Sequence, residues 1–227
     1  MHPLDNPTWS ALTTLQSELA LVNGAARRFP PEMSPHGGFA APTPEAWQSL
    51  AQISPLPVSL FSLHEIELPA GWKVVRKVEL HEMVQKKPTR RPAGQSITVS
   101  ELWADDVPQM ALLYGATRPG RSLSPRLNEL GPALGVKQDG RVLAMACLRL
   151  HFPGYREISC VGTLPEHTGL GFATALVTEL AVRIHSAGEL PFLTVRIENT
   201  RAIEIYERLG FRERVRMHST TVQYEQG

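Results

Sequence analysis

The sequence predicts a mixed α/β (α+β) fold, on three observations. From about residue 96 onward, short β-compatible runs alternate with segments of helical periodicity. Asp139-Gly140 stands between two apolar runs as a hairpin turn. The stretch Tyr155 to Thr174, YREISCVGTLPEHTGLGFAT, passes from strand through a glycine-containing turn into a helix. Residues 1–95 differ in texture, with twelve of the nineteen prolines, which predicts a smaller N-terminal α/β region of short elements and irregular connections.

In chain order, Trp9, Leu12, Leu15, Leu19 and Val22 predict a first helix ending at Asn23-Gly24, and residues 25–43 read as loop. Thr43-Pro44 starts a helix through Trp47 and Leu50. Strands are expected at Pro57 to Leu63 and Trp72 to Leu80, and the basic, apolar-poor Gln85 to Gln95 reads as a linker. Without interleaved aromatics, its charges fit a solvated connector better than a nucleic-acid patch.

Beyond it, Ile97 to Leu102 predicts a strand, Ala104 to Ala116 an amphipathic helix and Ser122 to Leu130 a second short helix. Leu134 to Gln138 and Arg141 to His151 form the hairpin around Asp139-Gly140. Ile158, Cys160 and Val161 make a strand that Pro165 cannot continue, and Ala173, Leu176, Val177, Leu180, Ala181 and Ile184 line one helix face, closed by Gly188. Leu193 to Glu198 reads as a strand, Asn199 to Leu209 as a helix stopped by Gly210, and Phe211 to Met217 and Ser219 to Tyr224 as two closing strands.

The turn at Thr168 to Phe172 therefore lies at a helix N-terminus, where unpaired N–H groups and the positive dipole end favour an anion. A phosphate loop of the Walker type needs Lys and Ser or Thr after its last glycine, where Phe172 and Ala173 stand. A dinucleotide fingerprint fits no better, since it needs a third small residue at Thr174 and an acid at the end of a second strand.

Thr168, Gly169, Leu170, Gly171, Phe172 and Ala173 resemble instead the coenzyme A pyrophosphate loop of the GNAT superfamily of acyl-CoA-dependent N-acyltransferases, Q/R-x-x-G-x-G/A, in the form R-G-x-G-x-G/A with Thr168 in place of Arg. Thr163-Leu164-Pro165-Glu166 is similar to the family's V/T-x-P-E, and Asn199 to Phe211 to its N-x-x-A-x-x-x-Y-x-x-x-G-F. The resemblance covers residues 96–227 and implies a domain with a mixed central sheet of splayed strands flanked by helices. Residues 1–95 would be the smaller N-terminal region, for which the family's tandem members offer the reading of a degenerate GNAT-like half.

It further implies acetyl-CoA, or another short acyl-CoA, as cosubstrate. Its pyrophosphate would meet Thr168, Gly169, Leu170, Gly171, Phe172, Ala173 and Thr174, and its pantetheine arm the strand edge at Val161, Gly162 and Thr163, with Asn199 and Tyr206 beside the arm. An N–H near Val161 would stabilise the oxyanion. Tyr206 would reprotonate the leaving thiolate as general acid, unless it only packs with Ile203 and Leu209. Neutralising a lysine-like amine at pH 7 costs about 4.6 kcal/mol against about 1 to 1.4 for an α-amino group, so a strongly basic substrate needs a catalytic base. Glu157 is the first candidate, against a structural pairing with Arg156 or another cation, and His151 the second.

The expected reaction is acyl transfer to the primary amine of a small metabolite or amino acid. The alternatives are a protein or peptide acceptor, which needs an open cleft, and a CoA-binding regulatory module without catalysis. A net charge of +1 predicts neither nucleic acid nor membrane as partner. The N-terminus lacks a signal-peptide pattern and no apolar run approaches a membrane span, so a cytoplasmic monomer or homodimer is expected. Cys147 and Cys160 read as buried free thiols, and neither metal-ligand spacing nor a G-x-S-x-G motif occurs.

Overall fold

A computed structural model describes residues 2–53, 56–89 and 97–225. In order these form α1 (Pro7–Leu12), β1 (Leu21–Asn23), β2 (Ala26–Arg28), β3 (Gly37–Phe39), α2 (Pro44–Ile53), β4 (Val58–Ser62) and β5 (Trp72–Gln85). They continue with β6 (Ser100–Leu102), α3 (Val107–Thr117), β7 (Ala133–Gln138), β8 (Arg141–Phe152), β9 (Tyr155–Thr163), α4 (Phe172–Ser186), β10 (Leu190–Arg196), α5 (Thr200–Arg208) and β11 (Phe211–Tyr224).

Four expectations are corrected. The first helix stops at Leu12, because Thr13 and Thr14 turn their hydroxyls back onto Trp9 and Ser10 carbonyls; Asn23-Gly24 turns a β1–β2 hairpin instead of ending it. Residues 25–43 contain β2 and β3. The two closing strands are one, β11, continuous through His218, and the second short helix is a single 3₁₀ segment, Leu127–Leu130.

Eight strands form the main sheet in the order β4-β11-β5-β10-β9-β8-β7-β6. β5 lies antiparallel between β10 and β11, pairing Thr194 with Glu82 on one side and Val215 with Glu82 on the other. Chain on both sides of residue 95 thus contributes to one sheet; the expected boundary at 95/96, and linker residues 90–95, fall outside the described residues.

Alternation along β5 sends Leu80 and Val84 to one face, where they join Leu4, Leu12, Phe29, Met110, Leu113, Leu150, Phe152 and Phe192. Met83 goes to the other face, with Leu176, Val177 and Leu180 of α4, Leu193 and Tyr206. So α1 and α3 cover one face and α4 and α5 the opposite one. Burial of these apolar side chains, at about 25 cal/mol per Å², is the main force holding both layers to the sheet. A third cluster, under α2, ends in the aromatic series Phe39, Trp47, Trp72 and Tyr224, with successive ring centroids 5.1, 4.9 and 5.4 Å apart.

The one parallel strand pair of this sheet among the described residues positions everything that follows. β9 and β10 pair only at Tyr155↔Leu190, Arg156↔Pro191 and Glu157↔Phe192. Beyond those three pairs no ladder joins them among the described residues, so Ile158–Thr163 and Leu193–Arg196 diverge.

Candidate functional site

At the open end of the divergence, β9 leads through a 3₁₀ turn, Pro165–His167, into α4. Gly169 and Gly171 hold φ of +87° and +82°, a region that costs residues with a Cβ about 1–2 kcal/mol. Among the described residues no side chain caps α4, and its first closed backbone bond is Ala175 N–H to the Gly171 carbonyl at 3.0 Å. The amides of Phe172, Ala173 and Thr174 are therefore left for an external acceptor. Thr168, Gly169 and Leu170 are exposed, and a Cβ on Gly169 would meet nothing within 4 Å. The Thr168 hydroxyl donates to the Pro165 carbonyl at 3.0 Å, which fixes the turn and engages that donor within it.

On the diverging part of β9, Met145 pairs with Gly162 and Cys147 with Ser159, so three steps on β9 match two on β8. This β-bulge is centred on Cys160, whose φ of +55° is unusual for a strand residue. Gly162 faces α3: a Cβ there would lie 3.1 Å from Leu113 Cδ2, 3.2 Å from Thr117 Oγ1 and 3.4 Å from Arg118 Nη1. Val161 offers its carbonyl to Arg118 Nη2 at 2.8 Å, and Thr163 Oγ1 is buried with no hydrogen-bond partner among the described residues.

Tyr206, 9% exposed, projects from α5 against Phe211, their rings 6.1 Å apart and edge to face. Burial pushes its phenol up to about 12, opposed by the charge of Arg118, so the hydroxyl keeps its proton throughout the physiological range. Asn199 caps α5, its side chain accepting from Ala202 N–H at 3.2 Å.

Glu157 is 1% exposed, on the face covered by α1 and α3. Arg149 grips both its oxygens, at 2.8 and 2.6 Å, and Leu150 N–H donates at 3.4 Å. A bulge on β8 makes this possible: Leu148 pairs with Ile158 and His151 with Arg156, leaving Arg149 and Leu150 opposite Glu157 alone. The cation foreseen for Glu157 is thus Arg149; Arg156 turns to His151 Nδ1 at 2.6 Å and the Leu130 carbonyl at 3.2 Å. His151 Nε2 meets Glu189 at 2.7 Å, at the closed end of the strand pair, so its ring is engaged away from the divergence.

Glu166 pairs with Arg141 at 3.0 Å, and Arg196 and Glu198 are exposed.

Several charged residues here escaped sequence reasoning. Glu82 of β5, 0% exposed, is bonded through Oε1 to Arg214, while its Oε2 is buried with no partner among the described residues. Burial pushes its carboxyl from an ordinary 4.5 up to about 7; Arg214 opposes the shift, and Asp5 and Glu157 add to it. Arg214 sits at a bulge of β11, between Glu213 and Val215, and reaches Asp5 at 2.9 Å as well. Glu82 in the alternating run VELHEMVQ, and an Arg before Pro119 at the end of α3, were the available signals. Cys147 and Cys160 are free, and Cys160 is drawn down by a hydrogen bond from Cys147 and by nearby Arg149 and Arg118.

Two surface hollows of about 380 and 370 Å³ lie elsewhere, the first against Glu204, Glu207, Arg208 and Arg212, the second along Trp9, Thr13 and Phe152. Among the described residues there is no group of three or more His, Cys, Asp or Glu placed to hold a metal, and no helix is long and apolar enough to cross a membrane.

Residues 133–220 match the family described as FR47-like protein. A crystal structure from Novosphingobium aromaticivorans, named as a candidate acetyltransferase of the GNAT family, is 33% identical, with full coverage of both chains and a TM-score of 0.88. A GCN5-related N-acetyltransferase from Kribbella flavida is 16% identical over 96% of this chain and 93% of its own, with a TM-score of 0.58. A GNAT acetyltransferase from Colwellia psychrerythraea is 15% identical over 67% and 58%, with a TM-score of 0.53. The latter two share the fold. No curated protein matches the chain.

Proposed function

The chain belongs to the GNAT superfamily, whose fold serves acyl transfer from acyl-CoA, and on that premise we propose that it moves an acetyl or other short acyl group to the primary amine of a small metabolite or amino acid by direct attack. One observation carries the reading: β9 and β10 separate after three pairs, directly beside an uncapped helix N-terminus. The separation leaves strand-edge groups for the pantetheine arm along Val161, Gly162 and Thr163, apart from the Val161 carbonyl that Arg118 engages, and among the described residues the Thr163 hydroxyl has no partner, which fits a ligand contact. The turn from Thr168 to Thr174 supplies amides for the pyrophosphate.

Tyr206 is the proposed general acid, because a buried phenol that stays protonated can hand its proton to a thiolate. Asn199 holds the start of α5 and so the height of Tyr206 along the cleft. Glu157 is the proposed acceptor of the amine's proton, directly or through water. Since Arg149 engages both its oxygens, that transfer requires a bridging water or a release of one oxygen. An N–H near Val161 serves the oxyanion.

A small acceptor is favoured over a polypeptide by the cover on this face. Leu4, Leu12, Phe29 and Met33 pack onto Leu150, Phe152 and Phe192, and Gln16 Nε2 donates to the Arg149 carbonyl at 2.8 Å. We read residues 1–95 as part of the working enzyme, roofing the acceptor side, in a cytoplasmic protein that is a monomer or homodimer. Calorimetry with acetyl-CoA, followed by thiol release over panels of small amines and peptides, tests the proposal. Binding with release from small amines is expected; binding without release from any acceptor would leave a CoA-binding module, and absence of binding would refute the site.

A further inference from the structure

We propose that Arg118 anchors the acceptor, and that the acceptor is an amine carrying a carboxylate, that is, an amino acid. The inference rests on the acyltransferase reading above and deepens it.

Arg118 is placed by its neighbours in the chain. Pro119 disfavours helical conformation in the residue before it, so α3 ends at Thr117 and Arg118 turns out of it with φ −142° and ψ 75°. The guanidinium lies 4.7 Å from the Tyr114 ring centroid, donates to Thr117 Oγ1 at 3.0 Å and to the Val161 carbonyl at 2.8 Å. Thr117 Oγ1 is itself tied to the Leu113 carbonyl at 3.0 Å. The absence of a Cβ at Gly162 lets this corner of α3 lie directly on the diverging strand. The cation is therefore held ready at the divergence, on the face opposite α4, and its charge is felt by Tyr206 across the gap.

What it lacks is an anion. No carboxylate among the described residues pairs with Arg118. The buried carboxylates of that face are taken: Glu157 by Arg149, Glu82 by Arg214. A half-buried guanidinium with two of its five donors committed, one to a hydroxyl and one to a carbonyl, has unmet capacity for a forked anion. The CoA phosphates have their own proposed donors, the amides past the end of β9 at the start of α4. A carboxylate on the acceptor fills that capacity, and it would hold the amine beside the thioester.

The test is a thiol-release assay with acetyl-CoA on standard amino acids, each beside its α-amide, which keeps the amine and removes the negative charge. We expect the acids to exceed their amides in kcat/KM by roughly tenfold to a hundredfold, the range of a hydrogen bond to a charged group. In Arg118→Met that preference disappears through the acceptor KM, and Arg118→Lys keeps part of it. Should Arg118→Met fail to fold, Arg118→Gln and Arg118→Lys carry the same comparison. Release from amides or plain amines with no preference for acids, or an unchanged preference in the folded variants, overturns the proposal. Release from no amine at all, with acetyl-CoA binding measured separately, is the different failure, that of the acyltransferase reading itself.

Discussion

Gly169 and Gly188 stand at the two ends of α4 and make a matched pair of perturbations. Gly169 has φ +87° and Gly188 φ +78°, and at neither would an added Cβ meet an atom within 4 Å. Replacement by Ala therefore adds no clash, only the cost of a left-handed residue, about 1–2 kcal/mol at each site. Gly188 follows the last turn, where its N–H donates to the His185 carbonyl at 2.9 Å, so its cost falls on stability alone. Gly169 sets the turn that aims the α4 amides, so relaxation of the strain distorts the proposed phosphate cradle. At about 1.4 kcal/mol per decade, Gly169→Ala should weaken acetyl-CoA binding by roughly 5- to 30-fold, while Gly188→Ala should lower the melting temperature and leave the Kd within about twofold. Calorimetric titration beside thermal melts separates the two. Equal acetyl-CoA affinity in both variants, with Gly169→Ala folded, would refute the cradle.

Three other predictions concern charge and chemistry. Tyr206→Phe should reduce kcat by about 10² or more with little change in acetyl-CoA Kd; unaltered turnover in a stopped assay removes Tyr206 as the acid. Arg149→Met leaves Glu157 buried without its cation and should cost roughly 3–5 kcal/mol in urea unfolding, an account that a loss below about 1 kcal/mol would contradict. Glu82 carries a pH signature: because its folded-state value, about 7, lies above the ordinary 4.5, the protonated form is favoured by folding. Its contribution is complete below about pH 4.5, declines as pH rises and is gone above about 7, a change of roughly 3 kcal/mol. Wild-type stability should therefore fall relative to Glu82→Gln between pH 4.5 and 7.5, and parallel melting curves across that window would show the carboxyl is not perturbed.

The parts of the fold that were legible in the chain are those whose cause is local. The turn at Gly169 and Gly171, the cap at Asn199 and the Asp139-Gly140 hairpin each depend on a few neighbouring residues, and each lies where propensity placed it. The closing strand was split in two at His218, whereas His218 stays in register opposite Glu79 and Ser62, and the real irregularity is the bulge at Arg214 that meets Glu82. The partner of Glu157 was out of reach because the bulge that brings Arg149 opposite it is a property of two strands together. Arg118 was hidden for a related reason: Pro119 announces a helix end, but only the packing of that end on Gly162 turns an ordinary surface arginine into a residue of the cleft.

The insertion of β5 between β10 and β11 also dictates a timetable. On the ribosome, Trp72–Gln85 is synthesised well before either partner, since β10 begins only at Leu190 and β11 at Phe211. During that interval a nascent chain carries a long strand with both edges unsatisfied, a state that invites pairing with a neighbour on the same polysome. Sequestration of that strand by the rest of the early segment, or by a chaperone, would protect the chain until its partners emerge.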